Sequence, residues 1–327
     1  MSNSKTYQFE NQFTLENCVG RVVIAVVGHP FDFVKTLIQL GYEPLPPYPT
    51  TTIFGRHRLA LPGVFRYIGH IRRTDGLCGI YRGIGYKLTS VLVNGFIYVN
   101  LSEYLKHLYP EEESLNEDKK DEDKQSTPDL QKYVKLCQYL SRETASRFVA
   151  LLASYPFQVM TVRVCAQFVG RETHYDTLFG AIKDIYRTGG VSGFYAGFMP
   201  RFLGDVLVLW IGSNIIFVAN SWIDGDSTTK NYVSASVNFI VSSLLYPFQL
   251  VSTVMSCNGQ SARSLAASAY TGHPYANWVD CWRHLSQLGE IKRGSSLLWR
   301  YQSTVLTAPL IHSTAVDRET RYRPKEW

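Results

Sequence analysis

The sequence predicts an all-α membrane protein built from one helical unit used three times, and three observations carry that prediction. The segment His29 to Gln39, HPFDFVKTLIQ, sets a proline, an aspartate and a lysine into an apolar run. Two degraded copies occur later, YPFQVMTVRVCAQ from Tyr155 and YPFQLVSTVMS from Tyr246. Self-similarity of this kind marks one structural unit repeated along the chain. Five segments, about 18–40, 84–105, 142–168, 199–222 and 233–256, are long and apolar enough to span a bilayer core of roughly 20 helical residues. Glycine turns of one pattern lie between them: RRTDGLCGIYRG (Arg72 to Gly83) and RTGGVSGFYAG (Arg187 to Gly197) match closely, and KRGSSLLWR (Lys292 to Arg300) keeps only Gly294.

Each predicted span contains Gly, Pro, Ser, Asn or a charge, which suits helices packed around a polar interior. On the first, Arg21, Ala25, Gly28, Asp32, Lys35 and Gln39 recur at helical spacing and form a small, polar face. Arg147, Ser154, Gln158, Thr161 and Cys165 repeat the stripe on the third, and Asn238, Ser242, Gln249, Ser252 and Ser256 on the fifth. In a bilayer such stripes turn away from acyl chains, toward one another or toward water. Between spans lie basic amphipathic stretches that predict short surface helices. Their shared apolar faces are Val64, Ile68 and Ile71, then Leu178, Ile182 and Ile185, then Trp278, Trp282 and Leu285. Pro30, Pro156 and Pro247 are expected to kink their helices. Tyr98, Tyr104, Trp210 and Trp222 stand near span ends as core or interfacial anchors.

An average composition hides this organisation. The chain is 45% apolar over 327 residues with formal charge +6, and its mean hydropathy is −0.09. Pro110 to Asp129, however, gathers nine carboxylates and three lysines, the composition of a self-repelling linker. The order along the chain is an N-terminal tail (1–16), repeat one (17–108), the acidic linker (109–135), repeat two (136–224), an incomplete repeat three (225–300) and a C-terminal tail (301–327). The first residues have neither the basic and apolar regions of a secretory signal nor the arginines of an amphipathic transit peptide, so targeting is expected to be internal. Six cysteines, Cys18, Cys78, Cys137, Cys165, Cys257 and Cys281, show no CxxC spacing and are expected as small packing residues. No phosphate-cradling loop, HExxH or nucleophile elbow is present, so neither an enzyme, a metal site nor a cofactor is indicated. Positive charge is spread through loops rather than gathered with stacking aromatics, which argues against nucleic acid as a partner.

The repeat resembles the mitochondrial carrier family, whose odd-numbered helices open on PxDxxKxK-like signatures and whose even-numbered helices follow a glycine-aromatic box. Pro30, Asp32 and Lys35 preserve the first signature; Gln158 and Thr161, then Gln249 and Ser252, replace both charges in the other two. The resemblance implies that the charge ring of transporting carriers is not assembled here. LIQLGYEPLPP (Leu37 to Pro47), IFGR (Ile53 to Arg56), QFVGRETHYD (Gln167 to Asp176) and PRFLGDVLVLW (Pro200 to Trp210) are similar to the divergent outer-membrane branch, the mitochondrial carrier homologs. So is the early ending after Arg293 and Gly294, where Val305 to Ile311 is far too short for a sixth span. The resemblance implies a carrier-like threefold bundle lacking the sixth transmembrane helix, with a polar groove open to lipid, in the outer mitochondrial membrane. It further implies an insertase passing α-helical proteins, tail-anchored ones included, into the bilayer. Its partners would be those clients, membrane lipids and apoptotic regulators. A docking receptor for apoptotic or metabolic regulators with lipid scrambling, and a solute carrier, are the alternative readings.

The groove residues expected from the sequence are those that place polarity inside spans. Arg201 and Asp205 share a face at i,i+4 just past the Gly197 and Pro200 entry; Lys35, Asp32, Arg163, Lys87, Gln158 and Gln249 complete the set. Arg163 and Lys87 are also placed to snorkel toward an interface. His29 is expected to be a packed imidazole.

Overall fold

A computed structural model describes residues 15–51, 55, 57–108, 129–170, 175, 177–222, 227–258 and 275–301. The expected N-terminal tail up to residue 14, most of the acidic linker and the patch from Val305 to Ile311 lie outside these residues. The helices are α1 (Leu15–Gln39), α2 (Val64–Ile80), α3 (Ile84–Leu108), α4 (Asp129–Gly170), α5 (Leu178–Gly189), α6 (Phe198–Trp222), α7 (Ser227–Leu244), α8 (Tyr246–Ser256) and α9 (Trp278–Gln287). Strands β1 (Tyr48–Thr51), β2 (His57–Leu61) and β3 (Arg300–Tyr301) form one antiparallel sheet in the order β1-β2-β3. The helix α4 begins at Asp129, so residues 129–135, expected in the linker, are helical.

All five expected spans are helical, but they differ in apolarity. Windows within Val19–Gln39, Gln131–Val169 and Phe179–Trp222 are long and apolar enough to cross a membrane, and α7 with α8 makes a fourth if the bent pair counts as one span. At 25 residues α3 is long enough, about 37 Å at 1.5 Å per residue, yet it is not among them. Its charges, together with Asn94 and Asn100, lower its hydropathy. Of the three signature prolines, Pro247 stands at a break: α7 and α8 meet at 48°, with Pro247 in the first turn of α8, where its missing N–H costs no hydrogen bond. Helices α1 and α4 run unbroken through Pro30 and Pro156.

The chain divides into two compact units. Unit 1 holds residues 1–28, 83–161 and 202–241, the greater part of the spans. Unit 2 holds residues 29–82, 162–201 and 242–327, where the signature segments meet the surface helices, the turns and the sheet. The apolar core of unit 2 is built from Phe33, Val34, Leu37 and Ile38 of α1, Val64, Tyr67 and Ile71 of α2, and Cys165 and Phe168 of α4. A second cluster sets Leu250, Val251 and Val254 of α8 against Cys281 and Leu285 of α9, with Trp278 and Trp282 packed beside them. The surface helix α5, capped by the Thr177 hydroxyl accepting from Gly180 N–H at 3.3 Å, turns inward Ala181 and Ile185. Ile182, expected on that face, is 40% exposed. Spacing at i,i+3 and i,i+4 fits both choices, and the neighbours decide between them.

The three glycine turns are geometrically equivalent. Gly83, Gly197 and Gly294 have φ of 80°, 81° and 80°, and Gly76, Gly190 and Gly289 precede them at 75°, 60° and 68°. This left-handed region is open to glycine at little cost. After Gly83 and Gly197 a long helix starts at once, with Lys87 N–H reaching the Gly83 carbonyl and Arg201 N–H the Gly197 carbonyl. After Gly294 the chain runs through a series of bends instead of a helix and enters β3. Arg300 is buried there; it donates to the Pro62 carbonyl at 3.1 Å and pairs with Glu43. Burial pushes the Glu43 carboxyl above its ordinary value, and Arg300 opposes that rise.

A ring of hydrogen bonds secures this corner of unit 2. The Tyr246 hydroxyl accepts from the Gln39 amide at 2.8 Å and donates to the Arg293 carbonyl at 2.8 Å. The Arg293 guanidinium returns two bonds to the Gln39 carbonyl, at 2.7 and 3.2 Å. A Cβ on Gly294 would stand 3.0 Å from the Tyr246 hydroxyl and 3.1 Å from Gln39 Cγ. Gly294→Ala therefore meets both backbone strain and crowding. Its expected cost is about 1–3 kcal/mol, read as a lowered thermal midpoint in detergent, with Gly55→Ala (φ +72°, open space) as a milder control.

The cysteines divide by burial. Cys165, Cys257 and Cys281 are buried packing residues as expected, whereas Cys78 is exposed. Burial pushes the thiols of Cys257 and Cys281 up to about 12. A maleimide added at neutral pH is expected to label Cys78 first and to leave Cys257 and Cys281 unmodified until the protein unfolds, as peptide mapping by mass spectrometry would show.

Candidate functional site

Polar groups inside the spans of unit 1 bond between α3 and α1 and along a seam of α3, α4 and α6. Near one end the Lys87 ammonium reaches the Ala25 carbonyl at 3.5 Å. Farther along, Ser90 donates to the Ser154 carbonyl at 3.3 Å, and Asn94 donates to the Ser154 hydroxyl at 3.1 Å. Next come Tyr98, whose hydroxyl donates to Glu143 at 2.6 Å, and Arg147, whose Nε donates to the same oxygen at 2.8 Å. Glu143 is 5% exposed. From α6, Trp210 donates its indole N–H to Thr144 at 3.0 Å. Such rungs are what a hydrocarbon setting demands, since each polar group must find its partner within the protein.

The level of this seam matters. Trp210 lies halfway along α6, so Thr144, Glu143 and Arg147 stand near the middle of a span rather than at its end. The Arg147 side chain is nevertheless 44% exposed, and Asp205 on α6 is one of the charges acting on it. A guanidinium open to acyl chains at that depth would cost about 2.5–3.5 kcal/mol on insertion scales. The arrangement is stable only if this flank meets water or other polar groups. Beyond Trp210, α6 presents an apolar concavity of about 520 Å³ lined by Asn214, Ile215, Val218, Ala219 and Trp222. Only 11% of the apolar window that ends in α6 is buried, against 56% for the window in α4. A partly exposed ion pair and an open apolar helix face thus occur within one unit.

The expected site residues fall into two groups. Asp205, Lys87 and Gln158 belong to unit 1, where Asp205 acts on the seam and Lys87 bonds α3 to α1. Arg201, Lys35, Asp32, Arg163 and Gln249 belong to unit 2. Lys35 sits 5.5 Å above the Tyr246 ring, with Asp32 and Arg201 the charges acting on it. Arg201 and Gln249 are half-buried, and Asp32 is exposed. Arg163 differs from its expected place at the groove or at an interface: it is 2% exposed. Its Nε donates to the Ser256 carbonyl, the last of α8, at 3.0 Å, and Nη1 to the Tyr175 hydroxyl at 3.4 Å. Tyr175 in turn donates to Asp184. Burial, with Asp184 accepting its proton, pushes the Tyr175 hydroxyl up to about 12. The guanidinium satisfies a helix end, a structural task. His29 is a packed imidazole, 1% exposed, stacked on Tyr81 with Nε2 donating to the Arg82 carbonyl at 3.1 Å.

Glu143, Tyr98 and Trp210 are the functional candidates that periodicity missed. The sequence places Tyr98 and Trp210 as core or interfacial anchors, with no hydrogen-bond partners named, and leaves Glu143 at the edge of the expected third span. The available signal was Glu143 four residues before Arg147, a helical ion pair inside an apolar window.

Repeated spans, amphipathic surface helices and equivalent glycine turns define an all-α membrane protein of carrier-like repeats. A family model described as mitochondrial carrier protein matches residues 17–113 and 135–212, together more than half of the chain. Mitochondrial carrier homolog 2 of Mus musculus is 35% identical over 283 residues, covering 85% of this chain and 90% of the relative. Mitochondrial carrier homolog 1 of Mus musculus is 32% identical over 303 residues, covering 86% and 75%. A mitochondrial thiamine pyrophosphate carrier of Neurospora crassa is 30% identical over 190 residues, covering 56% and 50%. The chain belongs to the mitochondrial carrier family. The family match stops before the third repeat, where the chain departs from the helix-after-glycine rule.

Arg163→Met, which keeps the volume but removes the donors, is expected to destabilise the protein by roughly 1–3 kcal/mol by leaving buried acceptors unsatisfied. Tyr175→Phe should cost less. Denaturation in detergent, followed by circular dichroism, checks the order.

Proposed function

We propose that this protein is a non-enzymatic insertase of the outer mitochondrial membrane that passes α-helical proteins, including tail-anchored ones, sideways into the bilayer. The observation that carries the proposal is the Glu143–Arg147 pair level with the middle of α6, with the Arg147 side chain 44% exposed, Asp205 among the charges that act on it, and an open apolar face on the same helix as Asp205. Moving a polar chain end through hydrocarbon is slow because nothing there accepts or donates a hydrogen bond. Arg147, Glu143 and Asp205 offer those partners at the depth where the barrier is highest. The apolar concavity along α6 receives the client's hydrophobic helix as it leaves for lipid. No covalent step or nucleotide is needed.

The charge ring of a transporting carrier draws on all three signatures, and here only Asp32 and Lys35 keep their charges. Repeat three also places strand β3 where the first two repeats begin an even-numbered helix. Both features weigh against a solute carrier.

The test is insertion of a single-span tail-anchored client into liposomes containing the full chain, scored by protease protection. Arg147→Gln and Asp205→Asn are each expected to slow insertion severalfold while leaving the helical content and thermal midpoint near those of the parent. Unchanged insertion by both variants would sink the proposal, as would saturable metabolite flux with no insertion.

A further inference from the structure

The sheet corner of unit 2 carries an exposed aromatic and basic surface that the insertion seam does not use. Strand register places Tyr48, Thr50, Arg58, Ala60 and Tyr301 on one face, while Leu59, Leu61 and Arg300 take the other. On the first face the Arg66 guanidinium lies 5.5 Å above the Tyr48 ring. Next to Arg66, Phe65 is 68% exposed and meets Phe31 edge-on at 6.2 Å. Phe31 belongs to the apolar window of α1 and is itself 39% exposed. The chain leading into β3 joins the same corner, because Val64 N–H donates to the Leu297 carbonyl at 3.0 Å. Trp299, two residues on, is 75% exposed.

We propose that this corner, formed by Phe31, Phe65, Tyr48, Trp299, Arg58 and Arg66, is an anchor for the anionic headgroup layer of the membrane that α1 crosses. The inference rests on the chain being a membrane protein and is independent of insertion. Three observations select this occupant. The exposed surface is continuous with a spanning helix through the contact of Phe31, in the C-terminal half of α1, with Phe65 at the start of the surface helix α2. Tyr and Trp favour the membrane–water interface because each has an apolar body and a polar edge. Arg58 and Arg66 give the sheet and the start of α2 two exposed cations; Asp32, next to Phe31, is an exposed carboxylate, and the Glu43 carboxylate is held by Arg300 of the opposite face. Each arginine near an anionic surface strengthens attachment about fivefold, an effect that falls off within a Debye length. The corner thus gives repeat three a hold on the membrane at the point where the chain enters a strand instead of a helix.

The experiment uses the full chain in nanodiscs of phosphatidylcholine alone or of an equal mixture with phosphatidylglycerol. Trp299→Phe isolates the emission of Trp299 by difference. That emission is expected to be quenched by lipids brominated close to the headgroup and shielded from iodide, with stronger shielding in the anionic discs. The double variant Arg58→Gln/Arg66→Gln should lose the extra shielding, and raised salt should produce the same loss in the parent protein, so the result does not hinge on the variant folding. Equal iodide access in both disc types overturns the proposal. Shielding that appears only at high protein-to-lipid ratio assigns the corner to a second copy, and shielding that appears only when a client is added assigns it to the client; each outcome overturns the proposal too.

Discussion

Hydrocarbon supplies no partner for an N–H, a hydroxyl or a charge, and this constraint explains more of the protein than any single contact. Unit 1 satisfies it with a ladder of side-chain bonds, from Asn94 and Ser154 through Tyr98, Glu143 and Arg147 to Thr144 and Trp210. Unit 2 satisfies it by closing helix ends: Arg163 reaches the last carbonyl of α8, and Arg293 reaches the carbonyl of Gln39 at the end of α1. The same chemistry gives two results. Where a guanidinium is sealed it holds elements together, and where it is left open, as at Arg147, it is accessible to polar groups.

That contrast separates Arg163 from Arg147, two arginines on one helix that composition cannot tell apart. Arg163 is buried among Ser256, Tyr175 and the carboxylate beyond. Arg147 leans on Glu143 with much of its side chain accessible. A buried cation bears a desolvation cost that its acceptors offset, and here it fixes geometry. An accessible one near the centre of a span is expensive unless a polar path passes it, which is why the functional argument rests on Arg147 and Asp205.

The third repeat shows how a local device can end an architecture. Its glycine has the same left-handed conformation as its two predecessors, so the turn itself is ready to launch a helix. Neighbouring groups direct the chain beyond it. Tyr246, Gln39 and Arg293 bond around Gly294, Leu297 accepts from the start of α2, and Arg300 is drawn under the sheet by Glu43 and the Pro62 carbonyl. Backbone pairing with β2 then satisfies groups that a helix would have satisfied internally.

Much of the fold was legible in the sequence because helical membrane proteins are governed by local rules. Apolar length marks the spans, glycine marks their turns, and the self-similarity of Pro30, Pro156 and Pro247 shows the repeat, though only Pro247 stands at a break. Those signals depend on residues close in the chain, so the sequence by itself determined the long helices, the surface helices and the glycine turns. Tertiary structure alone decided which polar side chains are sealed and which stay open. It turned Ala181 rather than Ile182 inward, made Tyr98 and Trp210 rungs, and directed Arg300 into a strand. The rungs and the strand depend on partners dozens to hundreds of residues away, and helical periodicity carries no record of such partners.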